Sequence, residues 1–398
     1  MNDRTDVPRR PVSRRSLLTG GAAAAGGALV GAASAAAIGA ASDEPKPVAH
    51  AAPADYGSQV EPFHGPRQSG IDTPPQAFAA FLGFTLKPGT DRDALGRMLR
   101  LLTDDASRLT QGRPALGDTD ADLARTPARL TVTFGFGPGL FRAAGRTPQV
   151  EDLPAFPIDR LQPRWTGGDL LLQVCADDAT AVAHAQRMLI KDARPFAAVR
   201  WVQRGFRRGR GVEAEGATHR NLMGQLDGTA NTKTTEAAVW TGNSTTLALR
   251  RIRMEIETWD KLSRPDKELA IGRKLDTGAP LTGRAEHDEP DFAAVDSVGL
   301  PVIPDFAHLT RAHVSNERLR ILRRPYSYDG EPDAAGVPDS GLILAAFQAD
   351  IATQYLPIQQ RLAEQDLMNQ WTTPIGSAVF AIPPGCDQGG WVGEQVLS

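Results

Sequence analysis

The sequence predicts an α+β fold built from two ferredoxin-like halves with antiparallel sheets. Three observations predict it. Alternating and helical spacings of apolar residues follow one another along the chain. The elements between Phe78 and Phe206 fall in the order β-α-β-β-α-β. That order then recurs between Thr246 and Ile382.

Phe78 to Leu86 is an apolar strand. Thr90-x-x-Asp93 opens a helix in the manner of a capping box, and Leu95, Met98, Leu99, Leu102, Ala106 and Leu109 continue it at helical spacing. Leu130, Val132, Phe134 and Phe136 alternate as a half-buried strand does. Leu170 to Cys175 is another strand, Ala179 to Ile190 a helix, and Val199 to Phe206 the closing strand. In the second half Thr246 to Glu257 is a strand, and Trp259 to Gly272 is a helical segment broken by Pro265. A Pro-, Gly- and Asp-rich passage from Thr277 to Pro304 interrupts the pattern. Arg318 to Arg323 and Leu342 to Phe347 are strands, Ile351 to Ala363 a helix and Ser377 to Ile382 the last strand. The loop from Arg207 to Asn221 divides the halves, which gives domains at 52–220 and 221–398 behind a leader at 1–51.

The 398 residues are 41% hydrophobic and 23% charged, with a net charge of -3. This excludes a disordered chain or a coiled coil and leaves no basic excess for nucleic acid. Cys175 and Cys386 are the only cysteines, too few for a disulfide framework or a Cys-rich zinc site. No C-x-x-C-H run is present to attach a haem covalently. In the leader, Arg9, Arg10, Arg14 and Arg15 precede an uncharged Ala/Gly-rich stretch from Ser16 to Ser42. That stretch is too weakly apolar for a stable membrane anchor, which needs about 20 strongly apolar residues. Ser13-Arg14-Arg15-Ser16-Leu17-Leu18 resembles a twin-arginine signal, the route of proteins exported already folded. The expectation is export by the twin-arginine machinery to the periplasm, cell envelope or exterior. A disordered basic N-terminus is the alternative.

Gly224-Gln225-Leu226-Asp227-Gly228 is the sharpest local motif, although G-x-x-D-G alone also describes an ordinary turn. Ala307-His308-Leu309-Thr310-Arg311-Ala312-His313 follows, and then Arg323-Arg324-Pro325-Tyr326. Singly, each has a bland reading as a structural histidine or a solvated edge. In this order and at these distances the three together resemble the dye-decolourising peroxidases, haem enzymes related in fold to chlorite dismutases (the dimeric α+β barrel superfamily). The similarity is closest to the exported, deferrochelatase-like branch. It runs from Val60-Glu61-Pro62-Phe63-His64-Gly65 to Gly376-Ser377-Ala378-Val379-Phe380-Ala381, with Arg251-Ile252-Arg253-Met254 and Ile271-Gly272-Arg273 between. Gln225-Leu226 departs from the aromatic-basic pair common in the family motif, and Pro325 stands where Gly is frequent.

The resemblance implies non-covalent haem b held mainly by the second half. It makes His308, in preference to His313, the proximal iron ligand, Asp227 the distal acid/base and Arg323 its distal partner. Asp350 is the candidate carboxylate behind His308, with an N-cap before Ile351 as its other reading. The implied activity is oxidation of phenolic or dye-like reductants by hydrogen peroxide. The alternative is a haem-handling protein that releases iron from haem, and a haem-free ligand binder is a third. Homo-oligomers are compatible with the resemblance. Arg204, Arg207, Arg208 and Arg210 suit haem propionates or a solvated loop, and Glu286-His287-Asp288-Glu289 reads as an acidic surface loop.

Overall fold

In the first half the apolar alternation produces β1 (Phe78–Leu86), β2 (Thr131–Phe136), β3 (Leu170–Ala176) and β4 (Ala197–Phe206). Helix α1 (Arg92–Thr110), a short α2 (Pro138–Ala143) and α3 (Ala179–Ala193) lie between them. The cap of α1 is Asp91, which accepts from Ala94 N at 2.9 Å. Thr90, expected to open the helix, instead donates its hydroxyl to Phe196 O. This computed structural model describes residues 55–398 apart from 215, 232–236 and 333–335. The twin-arginine run therefore lies outside the described residues.

The second half contains β5 (Thr245–Met254), α4 (Ile256–Trp259), α5 (Arg264–Ile271), α6 (His308–Ala312), β6 (Leu322–Arg323), β7 (Tyr326–Asp329), β8 (Ser340–Gln348), α7 (Leu356–Gln365) and β9 (Thr372–Ile382), with α8 (Glu394–Leu397) near the end of the chain. Pro265 does divide the expected helix: it sits in the first turn of α5, where its missing N–H costs nothing, behind the cap Ser263. The expected helix from Ile351 begins as a π-turn over Ile351–Tyr355 before α7. The strand expected over Arg318 to Arg323 is displaced. A 3-10 turn at Glu317–Leu319, capped by Asn316, occupies its start. Pairing runs from Leu322↔Phe347 to Asp329↔Ser340 in one unbroken register. Thus β6 and β7 are two pieces of a single strand, parted at Pro325, which has no N–H to give.

The two sheets have the same internal order, β2-β3-β1-β4 in the first and β7-β8-β5-β9 in the second, all antiparallel. They meet edge to edge at Phe136↔Ala381 and at Phe206↔Ser327, which closes a barrel through both halves. The described residues form one compact unit. Phe81, Trp201, Leu249, Tyr326, Phe347 and Phe380 fill the barrel interior. Helices α1 and α3 cover the outside of the first sheet through Leu95, Leu99, Leu102, Val182 and Leu189. The outside of the second sheet carries Met254 and Leu342 beneath Met223, Trp259, Ile271 and Met368.

Candidate active site on the outer face of the second sheet

Alternation along β6 and β7 separates the two arginines. Leu322, Tyr326 and Tyr328 belong to the barrel interior, and so does Arg324, fully buried with its guanidinium on Thr73 O and Gln76 Oε1. Arg323 points the other way. There its Nη1 lies 3.0 Å from Asp227 Oδ1.

Asp227 is delivered by a small hairpin. Arg220 pairs with Leu226, Asn221 N donates to Gln225 O at 3.0 Å, and Asp227 N donates to His219 O at 2.7 Å. Gly224 turns the chain at φ 81° and Gly228 leaves it at φ 144°, conformations that strain any side chain. This is the physical need for the two glycines of the motif. The carboxylate is 8% exposed, and Asn221 Nδ2 donates to its Oδ2 at 3.3 Å. Its Oδ1 has the Arg323 charge beside it but no aligned hydrogen-bond donor. Asn231 holds the arginine's backbone in both directions, donating to Arg323 O at 2.8 Å and accepting from Arg323 N at 3.0 Å. The loop that supplies the carboxylate thereby also fixes the arginine. Glu286 ties the same loop down by accepting from Thr229 Oγ1 at 2.8 Å and from Thr218 Oγ1.

His308 is the first residue of α6. Its Nδ1 lies 2.6 Å from Asp366 Oδ2, and Asp366, 6% exposed, accepts from Met368 N through its other oxygen. The free ring nitrogen is Nε2. Two contacts fix the helix itself. A Cβ on Gly272, which ends α5 at φ 84°, would stand 3.0 Å from Leu309 Cβ, so α6 packs directly on glycine backbone. Arg361 of α7 donates to Arg311 O at 3.1 Å and His313 O at 3.0 Å. Burial works against a charged imidazole here, but the Asp366 carboxylate outweighs it and the ring's pKa is raised. Arg323 and Asp227 also act on the ring electrostatically, one lowering and one raising it. The side chain of His308 is 34% accessible. An apolar cluster on this side of the sheet has a partly exposed rim of Ile252, Leu344 and Leu367.

Asp350 is not behind His308. Its carboxylate accepts from Ala352 N at 2.9 Å and Thr353 Oγ1 at 2.8 Å, so local donors at the start of the π-turn consume it, as its N-cap reading implies. Asp366 takes the place expected of it. The ring of His313 packs edge-on against Phe292 at 4.9 Å. Within the arginine run, Arg208 pairs with Glu213 and Arg210 lies over Tyr56, while Arg207 turns inward, where burial lowers its pKa. Both cysteines are buried and free. Among the described residues no group of His, Cys, Asp and Glu could hold a metal by itself, and no helix is long and apolar enough to cross a membrane. A free imidazole nitrogen backed by a carboxylate, apolar walls and a nearby arginine form the donor set that a haem requires. The residues present fit that group.

Residues 68–207 match the family model for the N-terminal domain of Dyp-type peroxidases, and residues 218–387 match the C-terminal one. The chain belongs to the Dyp-type peroxidase family and is a haem-dependent peroxidase. It is 39% identical over 359 residues to the dye-decolorizing peroxidase of Thermobifida fusca, covering 83% of each chain. With the deferrochelatase of Shigella boydii it shares 32% identity over 395 residues, 88% of this chain and 92% of that one. The crystal structure of a DyP-type peroxidase from Cellulomonas bogoriensis has a TM-score of 0.84 at 49% identity, covering 86% of this chain and 99% of the other.

Proposed function

We propose that His308 with Asp366 holds the haem iron, and that Asp227 with Arg323 activates hydrogen peroxide for the oxidation of phenolic or dye-like reductants. One observation carries this reading: a buried carboxylate paired with a half-buried arginine and a carboxylate-backed imidazole are close enough to act on each other electrostatically. Bound haem supplies a redox-active iron at which peroxide is reduced. With Nδ1–H given to Asp366, His308 presents the Nε2 lone pair in a fixed direction with raised basicity. Asp227 Oδ1 accepts a proton from one peroxide oxygen and returns it to the departing one. The Arg323 guanidinium offsets the negative charge that grows on the departing oxygen.

Stopped-flow mixing with peroxide, followed at the Soret band, tests these roles. Asp227→Asn keeps the shape without the basicity and slows the reaction about a hundredfold or more; Arg323→Leu slows it as well. Parental rates in both variants at every pH remove both assignments.

The relationship to deferrochelatases supports a second reading, release of iron from haem by the same pocket. Iron-free porphyrin after incubation with haem distinguishes it from peroxidase turnover. We also propose export through the twin-arginine route, which rests on Arg14 and Arg15. Retention of an Arg14→Lys, Arg15→Lys variant in the cytoplasm supports that route, and unchanged export overturns it.

A further inference from the structure

Asp227 has a neighbour to which the proposed reaction gives no task. His219 stands directly across the hairpin from it, joined by the 2.7 Å bond from Asp227 N to His219 O. Opposite residues of an antiparallel pair present their side chains on one face. Both are buried, His219 at 5% exposure and Asp227 at 8%. Imidazole Nε2 and carboxylate Oδ1 each lack a hydrogen-bond partner, whereas buried polar atoms are paired in the great majority of cases. The charged groups that act on the ring are Arg207 and Arg208 beyond β4 and Asp227 itself. Arg208 is engaged by Glu213 at 2.9 Å. Burial, and after it Arg207, push the His219 pKa down to about 4. At neutral pH the ring is therefore uncharged, with one nitrogen as donor and the other as acceptor.

We infer that His219 is a positioning residue for Asp227, passing to its carboxylate the protons that the second water consumes. The inference rests on the role proposed above for Asp227. Peroxide, two electrons and two protons give two molecules of water. Asp227 redistributes the protons that peroxide brings, which completes the first water. The two protons of the second water come from solvent, and the reductant supplies the electrons. An imidazole that takes a proton on one nitrogen and gives one up from the other is uncharged before and after. It can therefore work without the buried cation that its surroundings oppose.

The test uses the haem-loaded full chain with His219→Gln, which hydrogen-bonds but does not relay protons, and with His219→Leu. The Gln variant should load haem normally and react with peroxide within about twofold of the parent, while its steady-state kcat falls about tenfold, with a larger solvent deuterium isotope effect and partial rescue by added imidazole. In the resting enzyme, without peroxide, the pH titration of its Soret band should move by about one unit. Parental kcat, isotope effect and Soret titration in the Gln variant overturn the inference. If the Leu variant fails to fold or load haem, the Gln variant decides alone. Asp227→Asn keeps the two assignments apart: a parental peroxide rate there removes the role of Asp227 itself, whereas a slow Asp227→Asn beside a parental His219→Gln removes only that of His219.

Discussion

The two sheets have the same strand order, yet their outer faces are put to different uses. On the first, α1 with 19 residues and α3 with 15 lie flat and continuous, and Leu95, Leu99, Leu102 and Leu189 are fully buried under them. On the second, the helix following β5 is broken at Pro265, and the chain makes a long excursion before returning at β6. That excursion carries His308. Its central strands carry partly exposed apolar residues, Ile252 on β5 and Leu344 on β8, where Leu82, Leu172 and Val174 on the central strands of the first sheet are fully buried. A close-packed face stabilises the barrel, while an incompletely packed one leaves room for a flat ligand. The same topology supports either, and the choice is made by the continuity of the covering helices.

The largest expected effect on this comparison comes from the histidine. His308→Ala loses nearly all haem, read as the ratio of Soret to protein absorbance, while His313→Ala keeps it. Asp366→Asn weakens haem retention by about 10- to 100-fold, the usual cost of removing the carboxylate behind a ligating histidine. Equal haem content in all three variants places the ligand elsewhere.

Packing comes next. Leu102→Ala, in the closed face, costs about 2–5 kcal/mol of stability, whereas Leu344→Ala on the open face costs about 1 kcal/mol or less because the side chain is already partly accessible. Denaturant unfolding of both variants measures the difference. Equal costs would mean that the second face is as tightly packed as the first.

The last effect is a pH dependence confined to the first half. Burial, with the Asp105 carboxylate as the next cause, pushes the Asp192 carboxyl up to about 8 where α3 packs on α1. A carboxyl that holds its proton more tightly folded than unfolded contributes fully below its unfolded pKa of about 4. That contribution is lost as pH rises from there to about 8, and above this it is gone. Asp192→Asn should therefore be more stable than the parent at pH 9 and little different at pH 4. Thermal melts at the two pH values check the sign.

Periodicity made most of the fold legible, because half-buried strands and amphipathic helices imprint their spacing on the chain. It did not reveal β7, whose four residues sit behind Pro325, nor the π-turn before α7. The candidate site was legible where motifs are local: Asp227 between its glycines, His308 and Arg323. Asp366 left no local sign, since it stands 58 residues from His308 and reads as one more carboxylate at a helix end. In the sequence Asp350 is the candidate instead, and capping, its other reading, is the use the chain makes of it. His219 lay inside the loop that divides the halves, and its pairing with Asp227 exists only once the hairpin closes.

The broken strand of β6 and β7 bears on which changes in length the chain tolerates. Its side chains alternate between barrel and pocket, so Arg324 anchors to Thr73 and Gln76 of the first half while Arg323 meets Asp227. Exchange of either arginine disturbs only the contacts of that one side chain. Insertion or deletion of a single residue between Leu322 and Tyr326 inverts the whole segment, sending a pocket side chain into the barrel and a barrel side chain into the pocket. Among variants of this short stretch, those that change its length should be far rarer than those that change its letters.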